Sequence, residues 1–293
     1  MKIERLNVAP DMLGESPVWD AASEQLFWVD VVSRKVRALH LASGEERSWT
    51  TPSYVGSIGL AGEDSLVLAL QDGFYRLELG SSRIEPIVRL DDADTQMRLN
   101  DGKMDRSGRF LCGGMGLKAD PRGALHRLSA PGRLERLADG IRISNAICFS
   151  PDGSLMYFAD SLSHQIMVHD YDPHGDHVGS PRLFLDTTSL KSAPDGATVD
   201  AEGHLWVALV QARQVARVSP TGEVVLTIDI PVDFPSCPAF GGTNMDTLFV
   251  TSIKDSGTGR MVSSHENAGS VFAISGLGVR GIPESLFSAQ LGR

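Results

Sequence analysis

Short apolar stretches alternate with turn-forming clusters along the whole chain, and no segment keeps a helical spacing of apolar residues with caps at both ends. Around Ala197 the pattern is easiest to follow. Ala197 and Val199 share one face, Asp200-Ala-Glu-Gly203 is a polar reversal, and Leu205 and Val207 resume on a second strand. The same order recurs with a period of roughly 40 to 50 residues, the length of a propeller blade. Its six occurrences open at Glu15, Gly56, Asn100, Ser144, Asp195 and Ser236. A meander of three or four short strands cannot bury both apolar faces alone, so the units must stack. Closing them in a ring removes most exposed strand edges. The pattern therefore predicts an all-β protein, a six-bladed β-propeller. Lys2–Val8 precedes the first unit and is expected to pair as the outer strand of the last blade. No linker divides the chain, so residues 1–293 are expected to form a single domain.

Composition narrows the partners. A formal net charge of -10, with no cluster of Lys and Arg, argues against nucleic acid or an anionic membrane surface. The N-terminus, Met1-Lys-Ile-Glu-Arg-Leu, lacks the apolar core of a signal peptide, and no run approaches the length of a membrane span. A cytoplasmic location is expected. Cys112, Cys148 and Cys237 are odd in number, widely spaced and set among apolar or small residues, which reads as buried thiols.

The chemistry is expected where the units begin. In a propeller the first strand of every blade lines the central channel, so equivalent positions of successive units form a ring at one mouth. That ring holds Glu15, Gly56 with Ser57, Asn100 with Asp101, Ser144 with Asn145, Asp195, and Ser236 with Cys237. Converging carboxylate and amide oxygens suit a divalent cation such as Ca²⁺, Mg²⁺ or Mn²⁺, and carboxylates also hold Zn²⁺. Each residue also has a structural reading as a turn former, Asp195 in Pro194-Asp-Gly196 above all. Position separates the two. Pro151-Asp-Gly153 lies in a mid-hairpin turn, whereas Pro194-Asp-Gly196 lies at a blade entrance.

Gly14-Glu-Ser-Pro-Val-Trp19, Arg98-Leu-Asn-Asp-Gly-Lys103, Ser144-Asn145, Ser150-Pro-Asp-Gly153, Pro194-Asp-Gly196, Asp200-Ala-Glu-Gly-His-Leu-Trp206 and Phe240-Gly-Gly242, in that order, resemble the SMP-30/gluconolactonase/regucalcin family. The resemblance implies a propeller that binds one divalent metal ion and hydrolyses a small lactone, with a sugar (aldono)lactone as first choice. It implies Glu15, Asn145 and Asp195 as metal ligands, Asp195 also as general base, and Arg98 and Asn100 as substrate contacts. Calcium is the first choice of ion, with Zn²⁺, Mn²⁺, Mg²⁺ and Fe²⁺ as alternatives. Where relatives carry an acidic residue that reaches the sugar, this chain reads Gly116-Leu-Lys-Ala, which places Lys118 as a candidate substrate contact and departs from the aldonolactone pattern. Two other functions share the same ion site: a calcium-binding regulatory protein without turnover, and a phosphotriesterase-like hydrolase. Gly276-Leu-Gly-Val-Arg-Gly281 spells a dinucleotide-binding motif but runs into Pro283 without a helix, and no GxSxG elbow occurs.

Overall fold

The structure is a computed structural model that describes residues 1–62, 64–91 and 95–289. Six four-stranded antiparallel sheets follow one another along the chain and form a six-bladed β-propeller. Five blades are uninterrupted meanders, with inner strands Gly14–Asp20, Val55–Leu60, Met97–Met104, Ser144–Phe149 and Pro194–Val199. The sixth begins at Pro235–Gly241 and takes its outermost strand from the other end of the chain, where Lys2–Arg5 pairs with Phe272–Ser275. Among the described residues, helix is limited to the 3₁₀ turns Ser161–Ser163 and Thr188–Leu190.

Burial falls off outward within each blade, as the strand sequences require. The inner strands are buried along nearly their whole length, whereas among outer strands Glu46–Thr50 is polar and mostly exposed and Arg83–Arg89 has no fully buried residue. The apolar clusters lie between neighbouring blades, with Trp206 set edge-on against Phe240 and Trp19 stacked on Phe249. Side chains alternate faces along a strand, so each blade meets both neighbours with hydrocarbon.

All six inner strands break register near their N-terminal ends, at Glu15/Val18, Val55/Ser57, Leu99/Gly102, Asn145/Cys148, Pro194/Ala197 and Pro235/Pro238. A bulge at this point bends the strand and re-aims its side chains, here into the mouth of the channel. Ser16 at φ 48° and Ala146 at φ 55° hold left-handed backbone immediately after Glu15 and Asn145. Near the axis the strands crowd each other. A Cβ added to Gly196 would lie 2.3 Å from Cys237 Sγ, so the residue after Asp195 has room only for glycine.

The opposite end of the channel is covered by the C-terminal segment. Phe287 N donates to Leu60 O at 2.7 Å, Ser288 N to Gly108 O at 2.8 Å, and Glu284 meets Lys103 Nζ at 3.0 Å. All three cysteines are free and buried, and burial pushes the Cys112 thiol up to about 12.

Candidate functional site

A cavity of about 140 Å³ sits at this mouth, and Glu15, Arg98, Asn100, Asn145 and Asp195 all line it. Residues from four blades, up to 180 positions apart in sequence, thus meet in one space because they occupy the equivalent bulge of their strands.

The polar groups form a directed network. Asn145 Nδ2 donates to Ser161 Oγ at 2.8 Å, and Ser161 Oγ donates to Pro194 O at 2.8 Å. With its nitrogen anchored, Asn145 can offer only its oxygen as ligand. Asn100 Nδ2 donates to Ser144 O at 2.8 Å and to Asn145 Oδ1 at 3.1 Å, while Asn100 Oδ1 accepts from Arg98 Nη1. Asn100 lines the cavity, yet its amide is already committed on both sides. It positions Arg98 and Asn145. Arg98 Nη1 also donates to Leu99 O at 3.0 Å, and its other guanidinium N–H groups are committed to no described residue.

The carboxylates have the opposite character. Among the described residues Glu15 and Asp195 meet no side-chain donor, and their polar support comes from the amides of Ser16 and Gly196. Burial first, and then the charges of Asp195 and Asp101, hold the Glu15 carboxyl well above its ordinary value. Burial and the Asp101 charge push Asp195 up to about 8, and burial alone pushes Asp101 up to about 7 despite a hydrogen bond from Ile147 N at 2.8 Å. Two carboxyl groups of one cavity, Glu15 and Asp195, without side-chain donors among the described residues are a poor structural element and a good receptor for a cation. The donor set of two carboxylates and one oriented amide oxygen fits a hard divalent ion.

Lys118 stands apart. It is exposed on the connector after Phe110–Gly116 and does not line the cavity. The carbonyl of the neighbouring Leu117 accepts from Arg260 Nη2 at 3.4 Å. Arg260, with Ser256, Thr258 and Met261, belongs to the long connection between Thr247–Ser252 and Phe272–Ser275, and all four line the cavity. Sequence reasoning missed them, along with Ser161 and Gln211. The available signal was length: every other blade links its second and third strands by a shorter turn, and a long loop within a compact fold is commonly functional.

A second group of ligand-type atoms, from Asp200, Glu202 and His204, lies within 4.8 Å in the hairpin turn of blade 5. Here a cation is already present in the chain. Arg217 Nη2 lies 2.8 Å from Asp200 Oδ2 and 2.6 Å from Glu202 Oε2. Asp200 further accepts from Trp206 Nε1 at 2.9 Å and from the amides of Glu202 and His204. This cluster ties the hairpin together.

Comparison with known proteins places these features. The family described as SMP-30/Gluconolactonase/LRE-like region matches residues 13–254. Regucalcin of Gallus gallus is 34% identical over 295 residues, covering 98% of this chain and 99% of that protein. YvrE of Bacillus subtilis (strain 168), whose name assigns it provisionally to the sugar lactone lactonases, is 30% identical over 267 residues, 89% of this chain and 90% of that one. Among solved structures, a protein from Agrobacterium tumefaciens strain C58 described as a calcium-binding protein, regucalcin, superposes with a TM-score of 0.90 at 30% identity, over 97% of this chain and 96% of that one.

Proposed function

Because the chain belongs to the SMP-30/gluconolactonase/LRE-like family, we propose that it hydrolyses a small lactone to the hydroxy acid, using one divalent ion held by Glu15, Asn145 and Asp195. Calcium is the ion proposed, in keeping with the hard oxygen donors and with the description of the Agrobacterium relative as calcium-binding. The observation that carries this reading is the pair of buried carboxylates, Glu15 and Asp195, that share one cavity with an anchored amide oxygen and, among the described residues, meet no side-chain donor.

A bound divalent ion would supply Lewis acidity toward the lactone carbonyl. The chain supplies the rest. A carboxylate oxygen of Asp195 takes the proton of the attacking water as the water oxygen bonds to the carbonyl carbon. The ring C–O bond then breaks, and the departing alkoxide takes that proton back from Asp195, which returns to carboxylate, so water and lactone yield one hydroxy acid. Arg98 donates from its uncommitted N–H groups to the oxygen on which negative charge develops. Asn100 fixes Arg98 and Asn145 at once, so replacing it should displace both. The apolar wall, including Ile143, Val210 and Ile253, keeps bulk water from diluting these interactions.

The decisive experiment strips the protein with a chelator and screens lactones and organophosphates before and after adding calcium. Loss and recovery of lactone hydrolysis are expected. Ion binding without turnover across the panel would instead favour a calcium-binding regulatory role, and turnover of organophosphates alone a phosphotriesterase. Unchanged hydrolysis after chelation would sink the ion-dependent mechanism.

A further inference from the structure

The mouth of the cavity is bridged from two opposite blades. The loop of blade 6 is held by its own bonds: Ser256 N donates to Met261 O at 2.9 Å, and Met261 N to Ser256 Oγ at 3.3 Å. Its base is fastened where Lys254 N donates to Met12 O at 2.9 Å and Ser263 Oγ to Asp233 Oδ2 at 2.6 Å. From this tip Arg260 reaches the Leu117 carbonyl of blade 3, which lies across a six-membered ring from blade 6. Among the described residues, the Arg260 guanidinium meets no carboxylate, so the site carries a positive group at its rim that nothing in the fold neutralises.

The walls beneath are hydrocarbon. Leu13, Met115, Ile143, Val210, Ile253 and Met261 line the space away from Glu15, Asp195 and Arg98, and several of the hydroxyl and amide oxygens among them are already engaged. Ser161 lies between Asn145 and Pro194, Ser256 pairs with Thr258, and Gln211 Oε1 accepts from Ser192 Oγ and Ala193 N. Hydroxyl groups of a polyhydroxylated lactone that lie beyond the reach of Glu15, Asp195 and Arg98 would press against hydrocarbon without partners, which is costly. An alkyl body would not. A carboxylate at its far end would meet Arg260, whose planar N–H groups match that anion.

Resting on the lactonase reading above, we infer that the substrate is a lactone with an apolar body and a terminal carboxylate, and that Arg260 selects for that carboxylate. Sugar lactones are then poor substrates. This is a choice made by the loop of blade 6 and the apolar wall, independent of how the ring is opened.

The test compares three compounds in the calcium-loaded protein: a γ-lactone with a short alkyl side chain, the same lactone with that chain ending in a carboxylate, and glucono-δ-lactone. The carboxylated lactone should have the highest kcat/KM and glucono-δ-lactone the lowest. In Arg260→Gln the ratio of carboxylated to neutral kcat/KM should fall about tenfold, the usual scale for losing a charged hydrogen bond. Arg260→Lys should restore part of that ratio, and added salt should shrink it. A preference for glucono-δ-lactone, or an Arg260→Gln loss equal on both alkyl lactones, would overturn the inference. The corresponding cyclic ketones, which cannot be hydrolysed, separate this outcome from failure of the lactonase reading. If no lactone turns over, calorimetry still decides: tighter binding of the carboxylated ketone to the wild type than to Arg260→Gln supports the anion site, and equal binding rejects it.

Discussion

Asp195 and Asp200 lie five positions apart in the same blade, both buried, and have opposite surroundings. Asp200 receives the Arg217 guanidinium, the Trp206 indole and two backbone amides, so its charge is matched on every side. Among the described residues Asp195 receives no side-chain donor, and it feels the charge of Asp101. A cluster of ligand-type atoms therefore marks structure at Asp200, where partners are complete, and function at Asp195, where they are lacking. Burial of a carboxylate is uninformative until its partners are counted.

Exchanging the two outcomes by mutation would break this contrast. The largest effect is expected in Asp195→Asn, which should lower lactone hydrolysis about a thousandfold or more, equivalent to ~4 kcal/mol of transition-state stabilisation. Its folding stability without metal should be equal or higher, because the variant removes a charge that burial disfavours; a large loss of stability measured by urea denaturation would contradict the assignment. Asp200→Ala should do the reverse. It should destabilise the fold by about 3 kcal/mol, since Arg217 and Trp206 lose a buried acceptor, while calcium affinity measured by calorimetry stays close to that of the wild type.

The pH response should also divide the pair. The folded-state value of Asp195, about 8, lies above the ordinary carboxylate value. The stabilising contribution is thus fully present below about pH 4 and is lost as pH rises toward 8, with a slope on the order of 1 kcal/mol per pH unit. Metal-free protein should therefore melt lower as pH rises through that window. Calcium affinity should rise over the same interval, because binding displaces a proton, and should level off above it. Asp195→Asn should reduce the slope of both curves, the remainder belonging to Glu15 and Asp101, and an unaltered slope in thermal melts of that variant would assign the titration elsewhere. The smallest effect concerns the bulge itself. Ala146→Gly relieves left-handed backbone at φ 55° and should stabilise the protein by about 0.5 kcal/mol, after allowing for the greater freedom of the unfolded chain, as read by denaturant midpoint.

Some of this was legible before any coordinates. The alternation around Ala197 and Leu205 and its recurrence along the chain are local facts, and the family motifs at Glu15, Arg98, Asn145 and Asp195 occupy equivalent places in the repeat. Outer strands such as Arg133–Ile141 left almost no trace, because a polar strand with one solvated edge needs no apolar alternation. Arg260 was equally hidden. Nothing in Thr258-Gly-Arg260-Met261 indicates a site until the loop is seen to cross toward Leu117.

The sequence by itself determined the repeat, the all-β blades and the positions at which each blade enters the channel, because strand periodicity and turn chemistry act over a few neighbouring residues. Only the tertiary structure decided which carboxylates find donors and which do not. Closing six blades into a ring sets distances between residues more than a hundred positions apart, and those distances separate Asp195 from Asp200 and place Arg260, rather than Lys118, at the rim.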